Sequence, residues 1–199
     1  MELQRALSDL AEVRDRLAAL QRFEGYSGLA AAGSGVAALI AAFLQLRIAP
    51  MPVGSEELRA YLTIWLSCLA VALALNYGAV GVWLLEHRAP GARSRFRTAA
   101  LSIAPSIVLG GALTFALVGH SAFALLPGTW FAFYAIGLFA SRGAIPASTF
   151  AVTIGFALLA MVFLVTPFDA VALAWWVMPI GFGAGQLAIG YLIWLDRAS

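Results

Sequence analysis

Six polar side chains, one in each long apolar stretch of this chain, are the residues best suited to chemistry. Measured from the ends of the stretches, they fall at a similar depth, slightly to one side of the middle. They are Ser34, Asn76, Ser106, Tyr134, Thr153 and Gln186. Because hydroxyl and carboxamide groups are uncharged, the set could bind a small uncharged ligand in a polar cavity. The alternative is that these groups only form hydrogen bonds that join the helices.

The two carboxamides, Asn76 and Gln186, favour a shared site more than the hydroxyls do. Serine and threonine in a helix can bond to their own backbone, whereas an unpaired carboxamide in hydrocarbon carries a large free-energy cost. We therefore expect Asn76 and Gln186 to lie within one side-chain reach of each other or of a shared water.

The groups that the chain lacks, or places at the membrane faces, exclude several classes of protein. It has no lysine to form a retinal Schiff base, and its two histidines, His87 and His120, fall at opposite faces. No aspartate or glutamate lies at mid-depth, where pumps keep a proton or sodium relay. Ser34 has no histidine or lysine to activate it as a nucleophile. We expect no catalytic residue, no metal site and no cofactor.

The elements that position these residues follow from composition. Of 199 residues, 62% are hydrophobic and 11% are charged, which is typical of a chain surrounded by lipid. A membrane span needs about 20 apolar residues. The sequence predicts an all-α polytopic membrane protein, a six-helix bundle over residues 25–199. The expected spans are 27–46, 58–86, 99–118, 121–140, 145–166 and 171–195.

The arginines predict the orientation of this bundle. All 12 cations are arginine, and all except Arg47 and Arg59 fall on one side of the predicted spans. Since positive charge is enriched in cytoplasmic loops, both termini are expected in the cytoplasm of a bacterial cell, with the bundle in the inner membrane. The lipid bilayer is therefore the expected partner. The net charge of +2 gives no indication of nucleic-acid binding.

Residues 1–24 form a separate element, a cytoplasmic amphipathic helix with coiled-coil-like spacing. Its apolar seam follows a three–four spacing and contains Leu3, Leu10, Val13, Leu17 and Leu20. The polar face mixes both signs of charge, whereas a helix that lies on anionic lipid is strongly basic. We expect the seam to contact a second copy, another protein or the chain's own loops. The alternative is a solvated helix without a partner.

Small residues and prolines predict how the spans pack. Pairs at four-residue spacing allow helices to approach closely, and prolines inside spans kink them. The pairs are Gly28 with Ala32, Ala31 with Gly35, and Gly181 with Gly185, and the prolines are Pro105, Pro127 and Pro179.

The N-terminal region resembles the start of a group of uncharacterised bacterial six-span membrane proteins. The residues that carry the resemblance are the run Leu10-Ala-Glu-Val-Arg14 and the run Arg22-Phe-Glu-Gly-Tyr-Ser-Gly-Leu-Ala-Ala-Ala-Gly33. Those proteins have a short cytoplasmic leader helix before a first span rich in serine and glycine. The resemblance covers the first fifth of the chain and implies a small prokaryotic integral membrane protein, without an activity or functional residues.

Two functions remain open from the sequence. The first is a non-enzymatic sensor or assembly subunit that contacts its partner through the N-terminal helix. The second is a small channel or facilitator for a neutral or hydrophobic solute. A facilitator needs a continuous polar or glycine-lined path, whereas a regulator needs only a packed bundle and an exposed helix.

Overall fold

The computed structural model of this chain describes residues 26–86, 92–166 and 171–198. These residues form helices and turns, and the described part contains no strand. The predicted N-terminal helix over residues 1–24, with its seam, lies outside the described residues.

Six α-helices follow one another in the described residues. They are α1 (Gly28–Ile48), α2 (Ser55–Glu86), α3 (Ala92–Gly119), α4 (Leu126–Ala140), α5 (Phe150–Val165) and α6 (Ala184–Ala198). Short 3-10 turns lead into α4 and α5, and a π-helical turn, Pro179–Gly183, leads into α6. Five helical stretches are long and apolar enough to cross a membrane: Gly28–Ile48, Ser55–Glu86, Ala100–Gly119, Phe123–Ala140 and Ala147–Val165.

The last predicted span, 171–195, differs from the structure in its first part. Residues 171–176 form turns rather than a helix, and the helical part begins just before Pro179. A helix that continued from residue 171 would place Pro179 in its interior, where proline removes a hydrogen bond and clashes with the preceding turn. The turn is still held in place, since the Trp175 backbone N–H donates to the Pro50 carbonyl at 3.0 Å.

The helices pack as a series of antiparallel neighbours. Helix α1 packs against α2 and α6, and α4 packs against α3 and α5. We name the two ends of the bundle after residues in α1's flanking segments: the Tyr26 end, where α1 begins, and the Pro50 end, where the chain turns into α2. Among the described residues, α2 and α3 are the one pair of consecutive helices that do not pack closely on each other. We call the gap between them the opening between α2 and α3.

Glycines bring α1 and α6 into close contact. A Cβ placed on Gly190 would lie 2.7 Å from the Gly28 carbonyl oxygen and 2.9 Å from the Ala32 backbone nitrogen. One placed on Gly35 would lie 2.8 Å from Leu187 Cγ. Only residues without a side chain allow the two backbones to approach this far, which explains the small-residue spacing in the first span.

An aromatic cluster fills the space between α4, α5 and the π-helical turn. Phe131 is fully buried, with its ring centroid 6.0 Å from Phe156 and 5.3 Å from Phe182. Gly181 and Gly185 face these rings, because Cβ atoms there would meet Phe131 and Phe156. This predicted glycine pair thus accommodates aromatic side chains, whereas the glycines of the first span accommodate a neighbouring helix backbone.

Candidate ligand cavity

A cavity of about 410 Å³ lies inside the bundle, between α1, α2, α3, α4 and α6. Along α3 its lining runs from Ala100 to Thr114. At 1.5 Å per residue this corresponds to about 21 Å. The hydrocarbon core of a bilayer is about 30 Å thick, so the cavity extends through much of that depth.

The structure brings most of the predicted polar layer to this cavity. Ser34, Asn76, Ser106, Tyr134 and Gln186 all line it. Thr153 does not, since it is buried in α5 and its hydroxyl donates to the Thr149 carbonyl of the preceding turn at 3.3 Å. Thr153 therefore has the backbone-bonded arrangement that serine and threonine commonly adopt in helices.

Asn76 has a fixed orientation with one oxygen left for another partner. Its Nδ2 donates to Ser34 Oγ and to the Ala72 carbonyl, each at 2.9 Å, and Ser34 Oγ donates in turn to the Ala30 carbonyl at 2.9 Å. Because a carbonyl can only accept, the amide nitrogen must face Ala72. Both N–H bonds are then used. Among the residues that the structure describes, none donates to Asn76 Oδ1.

Gln186 and Tyr134 form a second polar pair on the cavity wall. Gln186 Nε2 donates to the Tyr134 hydroxyl oxygen at 2.6 Å. This bond joins α6 to α4. It uses one of the two Gln186 N–H bonds and leaves the phenolic proton of Tyr134 able to donate. The pair thus offers donors together with the Gln186 carbonyl oxygen, whereas Asn76 offers only an acceptor.

Helix α1 places the two pairs at one level of the bundle. Ser34 holds Asn76, and the adjacent Gly35 packs on Leu187, the neighbour of Gln186. The described hydrogen bonds give Asn76 and Gln186 different partners. A shared water between these two amides stays a prediction.

Aromatic residues close the cavity toward the Pro50 end. The Tyr61 and Trp130 rings stack with centroids 6.1 Å apart and an interplanar angle of 6°. Trp130 Nε1 also donates to Thr114 Oγ1 at 2.7 Å, which ties α4 to α3. The stack connects α2 to α4 near the Pro50 end, and Trp130 is also part of the cavity lining.

Two leucines of α2 on the cavity wall are half-exposed. Leu66 and Leu69 line the cavity, and each is 46% exposed. This exposed area includes the surface that faces the cavity, so other residues cover this part of the wall only in part.

The described lining contains no aspartate, glutamate, lysine, arginine or histidine. At the Tyr26 end, burial raises the pKa of Tyr26 to about 12, with a further increase from neighbouring Tyr77. The Tyr26 phenol is therefore neutral at physiological pH. Cys68, the only cysteine of the chain, also lines the cavity. The site is thus uncharged and mostly apolar, with a few hydrogen-bonding groups.

The sequence interpretation did not identify Gln45, which is fully buried near the Pro50 end. Gln45 Nε2 donates to the Leu173 carbonyl at 2.7 Å, and Trp65 Nε1 donates to Gln45 Oε1 at 2.7 Å. A signal was present, because Gln45 lies eleven residues after Ser34, which is about three helical turns and places both on the same face of α1.

Comparisons with protein-family models, curated proteins and solved structures gave no match to this chain. The geometry itself therefore carries the functional argument. An uncharged cavity with few polar groups is suited to binding a neutral, mostly apolar molecule. Among the described residues no three histidine, cysteine, aspartate or glutamate side chains come together as metal ligands.

Proposed function

We propose that this chain is a non-enzymatic integral membrane protein that binds a small, uncharged and mostly apolar ligand in the cavity between its helices. The observation that carries the proposal is the convergence of Ser34, Asn76, Ser106, Tyr134 and Gln186 on one apolar cavity. Hydrogen bonds between helices would not require an open volume beside these groups. A ligand would need one.

The size of the cavity agrees with such a ligand. A volume of 410 Å³ has room for about 14 water-sized groups, taking roughly 30 Å³ for each. Pockets for small molecules typically measure about 300–1,000 Å³ and are lined mostly by apolar side chains. The proposed ligand is therefore a molecule with about a dozen carbon atoms and one or two polar groups.

The proposal includes six membrane crossings, with α6 and its π-helical turn as the sixth, and both termini in the cytoplasm. The distribution of charge in the fold supports this orientation. Arg142 and Arg197 lie at the Tyr26 end, whereas Arg47 and Arg59 lie at the Pro50 end near the turn into α2. With the N-terminal arginines added, the Tyr26 end is the cytoplasmic one by the positive-inside rule.

We assign the chain the role of a sensor or regulatory subunit, with the N-terminal helix as its contact to a partner. A cavity that opens to one side suits occupancy by a ligand more than passage through the membrane. Helix α1 links the two regions, because it lines the cavity and follows directly after the N-terminal segment. A ligand that changes the position of α1 would change the presentation of that segment.

A facilitator for a neutral solute is the second candidate, and the length of the cavity favours it. The lining covers about 21 Å of α3. Among the described residues, the stacked rings of Tyr61 and Trp130 lie at the Pro50 end of the cavity. In this case the stack would have to separate during transport. Tyr61→Ala with Trp130→Ala would then increase the flux of a neutral solute into proteoliposomes, whereas a sensor would show no flux with or without the stack.

Alkylation of Cys68 tests ligand binding directly, because this thiol lines the cavity. N-ethylmaleimide is small and uncharged and can enter. If the cavity binds a neutral apolar molecule, dodecanol should slow alkylation of Cys68 several-fold in a saturable way. The rate is measured by mass spectrometry on the full chain in lipid nanodiscs.

The matched control moves the thiol to the outer face of the same helix. In Cys68→Ser with Val71→Cys the thiol is about one turn away, at an exposed position outside the cavity. Dodecanol should leave that rate unchanged. Equal protection at both positions, or none at Cys68, would show that dodecanol acts through the bilayer and that the cavity does not bind it.

The role of the N-terminal helix has its own test. Leu10→Asp with Leu17→Asp places charges in the predicted seam, where association would desolvate them. We expect the bundle to remain folded and dodecanol protection of Cys68 to persist, while oligomers or partner contacts are lost. Oligomer size in detergent and crosslinking in membranes measure this. An unchanged oligomer and unchanged crosslinks would remove the helix from the proposal.

A further inference from the structure

We propose that the cavity selects a neutral lipid-like alcohol, which enters from the bilayer through the opening between α2 and α3. This inference rests on the proposed function and specifies its ligand. The polar head would be a hydroxyl group placed at the level of Asn76 and Gln186, and the apolar tail would lie along the cavity.

The hydrogen-bonding capacity of Asn76 requires a donor on the ligand. Both of its N–H bonds are used by Ser34 Oγ and the Ala72 carbonyl. Oδ1 is the group that remains, and an oxygen of this kind only accepts. A ligand that lacks an O–H or N–H group would leave Oδ1 unpaired in a low-dielectric site, which is unfavourable.

The Tyr134–Gln186 pair can donate to an acceptor on the ligand. Gln186 donates to the Tyr134 oxygen, which leaves the phenolic proton, the second Gln186 N–H and the Gln186 carbonyl oxygen for a ligand. A hydroxyl group both donates and accepts, and it therefore matches Asn76 and the Tyr134–Gln186 pair at once. A ketone or an ether satisfies only the second.

The absence of charge from the described lining excludes ionic amphiphiles. No arginine, lysine or histidine lies there to pair with a carboxylate, and no acid lies there to pair with an ammonium group. Moving an unpaired ion into an apolar site costs several kcal/mol or more. Fatty acids and quaternary amines should therefore be rejected.

The opening between α2 and α3 provides the route. In the described residues these two helices border the cavity without packing closely on each other, and Leu66 and Leu69 of α2 are half-exposed residues of its lining. An alcohol of this length dissolves in the bilayer rather than in water. Lateral entry needs no passage through the aromatic stack near the Pro50 end.

The experiment compares three ligands that share one alkyl chain: dodecanol, its methyl ether and dodecanoate. Each is titrated against the rate of Cys68 alkylation by N-ethylmaleimide, with the full chain in nanodiscs. One hydrogen bond contributes about 0.5–1.5 kcal/mol to the binding free energy. The ether, which lacks it, should therefore require a concentration about two- to tenfold higher for half protection. Dodecanoate should give no saturable protection.

The variant Asn76→Leu tests whether Asn76 recognises the hydroxyl group of the ligand. It should reduce the preference for alcohol over ether, because the Asn76 acceptor is gone, and the ratio between the ligands is unaffected by any general loosening of the site. Gln186→Leu should weaken the binding of both ligands, because both accept a hydrogen bond. Thr153→Val removes a hydroxyl that does not line the cavity, so it should preserve the preference for alcohol.

The outcomes separate this inference from the proposed function. Equal protection by alcohol and ether in the unchanged chain, or an undiminished preference for alcohol in Asn76→Leu, overturns the alcohol assignment and leaves a cavity for neutral ligands. Protection by dodecanoate overturns the exclusion of ions. If none of the three ligands protects Cys68, the ligand cavity itself is wrong.

Discussion

Two carboxamides of this chain, Gln45 and Asn76, occupy similar apolar surroundings and use their hydrogen bonds differently. Gln45 is fully buried and bonds through both its oxygen and its nitrogen, to Trp65 and to Leu173. Asn76 is partly buried and bonds only through its nitrogen. The first joins three segments of the chain. The second lines the cavity and has no described donor to its oxygen.

The same contrast extends to the helices that carry these residues. In the apolar stretch of α1, and in the stretch that contains α4, 44% of the residues are buried within the bundle. The corresponding share of buried residues is 6% in α2 and 17% in α3. The closed side is held by backbone contacts and a filled aromatic cluster. The open side has the cavity. A bundle of this kind can hold its shape on one side while a ligand enters on the other.

The largest expected effect on stability comes from Gln45→Leu. The substitution leaves the Leu173 carbonyl and Trp65 Nε1 without partners in a buried place. Each unpaired group costs about 1–3 kcal/mol, with lower values typical inside membranes, so we expect a loss of about 2–4 kcal/mol. Unfolding by sodium dodecyl sulfate, followed by helical circular dichroism, measures it. A loss as small as that of Asn76→Leu would erase the distinction between the two amides.

A smaller loss is expected when the close contact between α1 and α6 is disturbed. In Gly190→Ala the added methyl group would lie 2.7 Å from the Gly28 carbonyl oxygen, and overpacking of this kind costs about 1–3 kcal/mol. The matched control is Gly78→Ala on α2, where no atom lies within 4 Å. That variant should be neutral or slightly more stable. Similar losses at both positions would mean that the two sides of the bundle do not differ in packing.

The smallest effect on stability is expected for Asn76→Leu. Without the Asn76 amide, Ser34 remains bonded to the Ala30 carbonyl and one hydrogen bond between helices is lost. A hydrogen bond of this kind stabilises a membrane protein by about 0.6 kcal/mol on average. The same variant should nevertheless change ligand selectivity. A loss above about 2 kcal/mol would place Asn76 with Gln45 as a residue that only holds the fold.

The sequence was sufficient to predict the positions of most helices, because hydropathy and turn residues define where an apolar stretch begins and ends. The first stretch was predicted over 27–46 and is helical over Gly28–Ile48. The turns over 171–176 were not foreseen. An apolar segment has the same composition whether it is helical or a buried turn, and here the turn depends on distant partners, Gln45 and Pro50.

The residues that line the cavity were only partly predictable. Ser106 and Gln186, chosen by their position along the spans, line it, whereas Thr153, chosen in the same way, does not. The direction of a side chain depends on which faces pack, and that follows from contacts such as Gly35 on Leu187. The unused acceptor of Asn76 also depends on geometry, since the sequence does not show which atoms of an amide are paired.

Direct binding of radiolabelled dodecanol tests the central claim that the open side of the bundle is a ligand site. Gly111 lines the cavity and Gly78 does not, and a Cβ at either position meets no atom within 4 Å. A side chain at either position therefore begins in open space, and phenylalanine is expected to reduce the cavity volume in the Gly111 variant only. The unchanged chain and Gly78→Phe should bind saturably, above the uptake of empty nanodiscs, and Gly111→Phe should not. Equal binding by all three, or no saturable binding by the unchanged chain, would contradict the account.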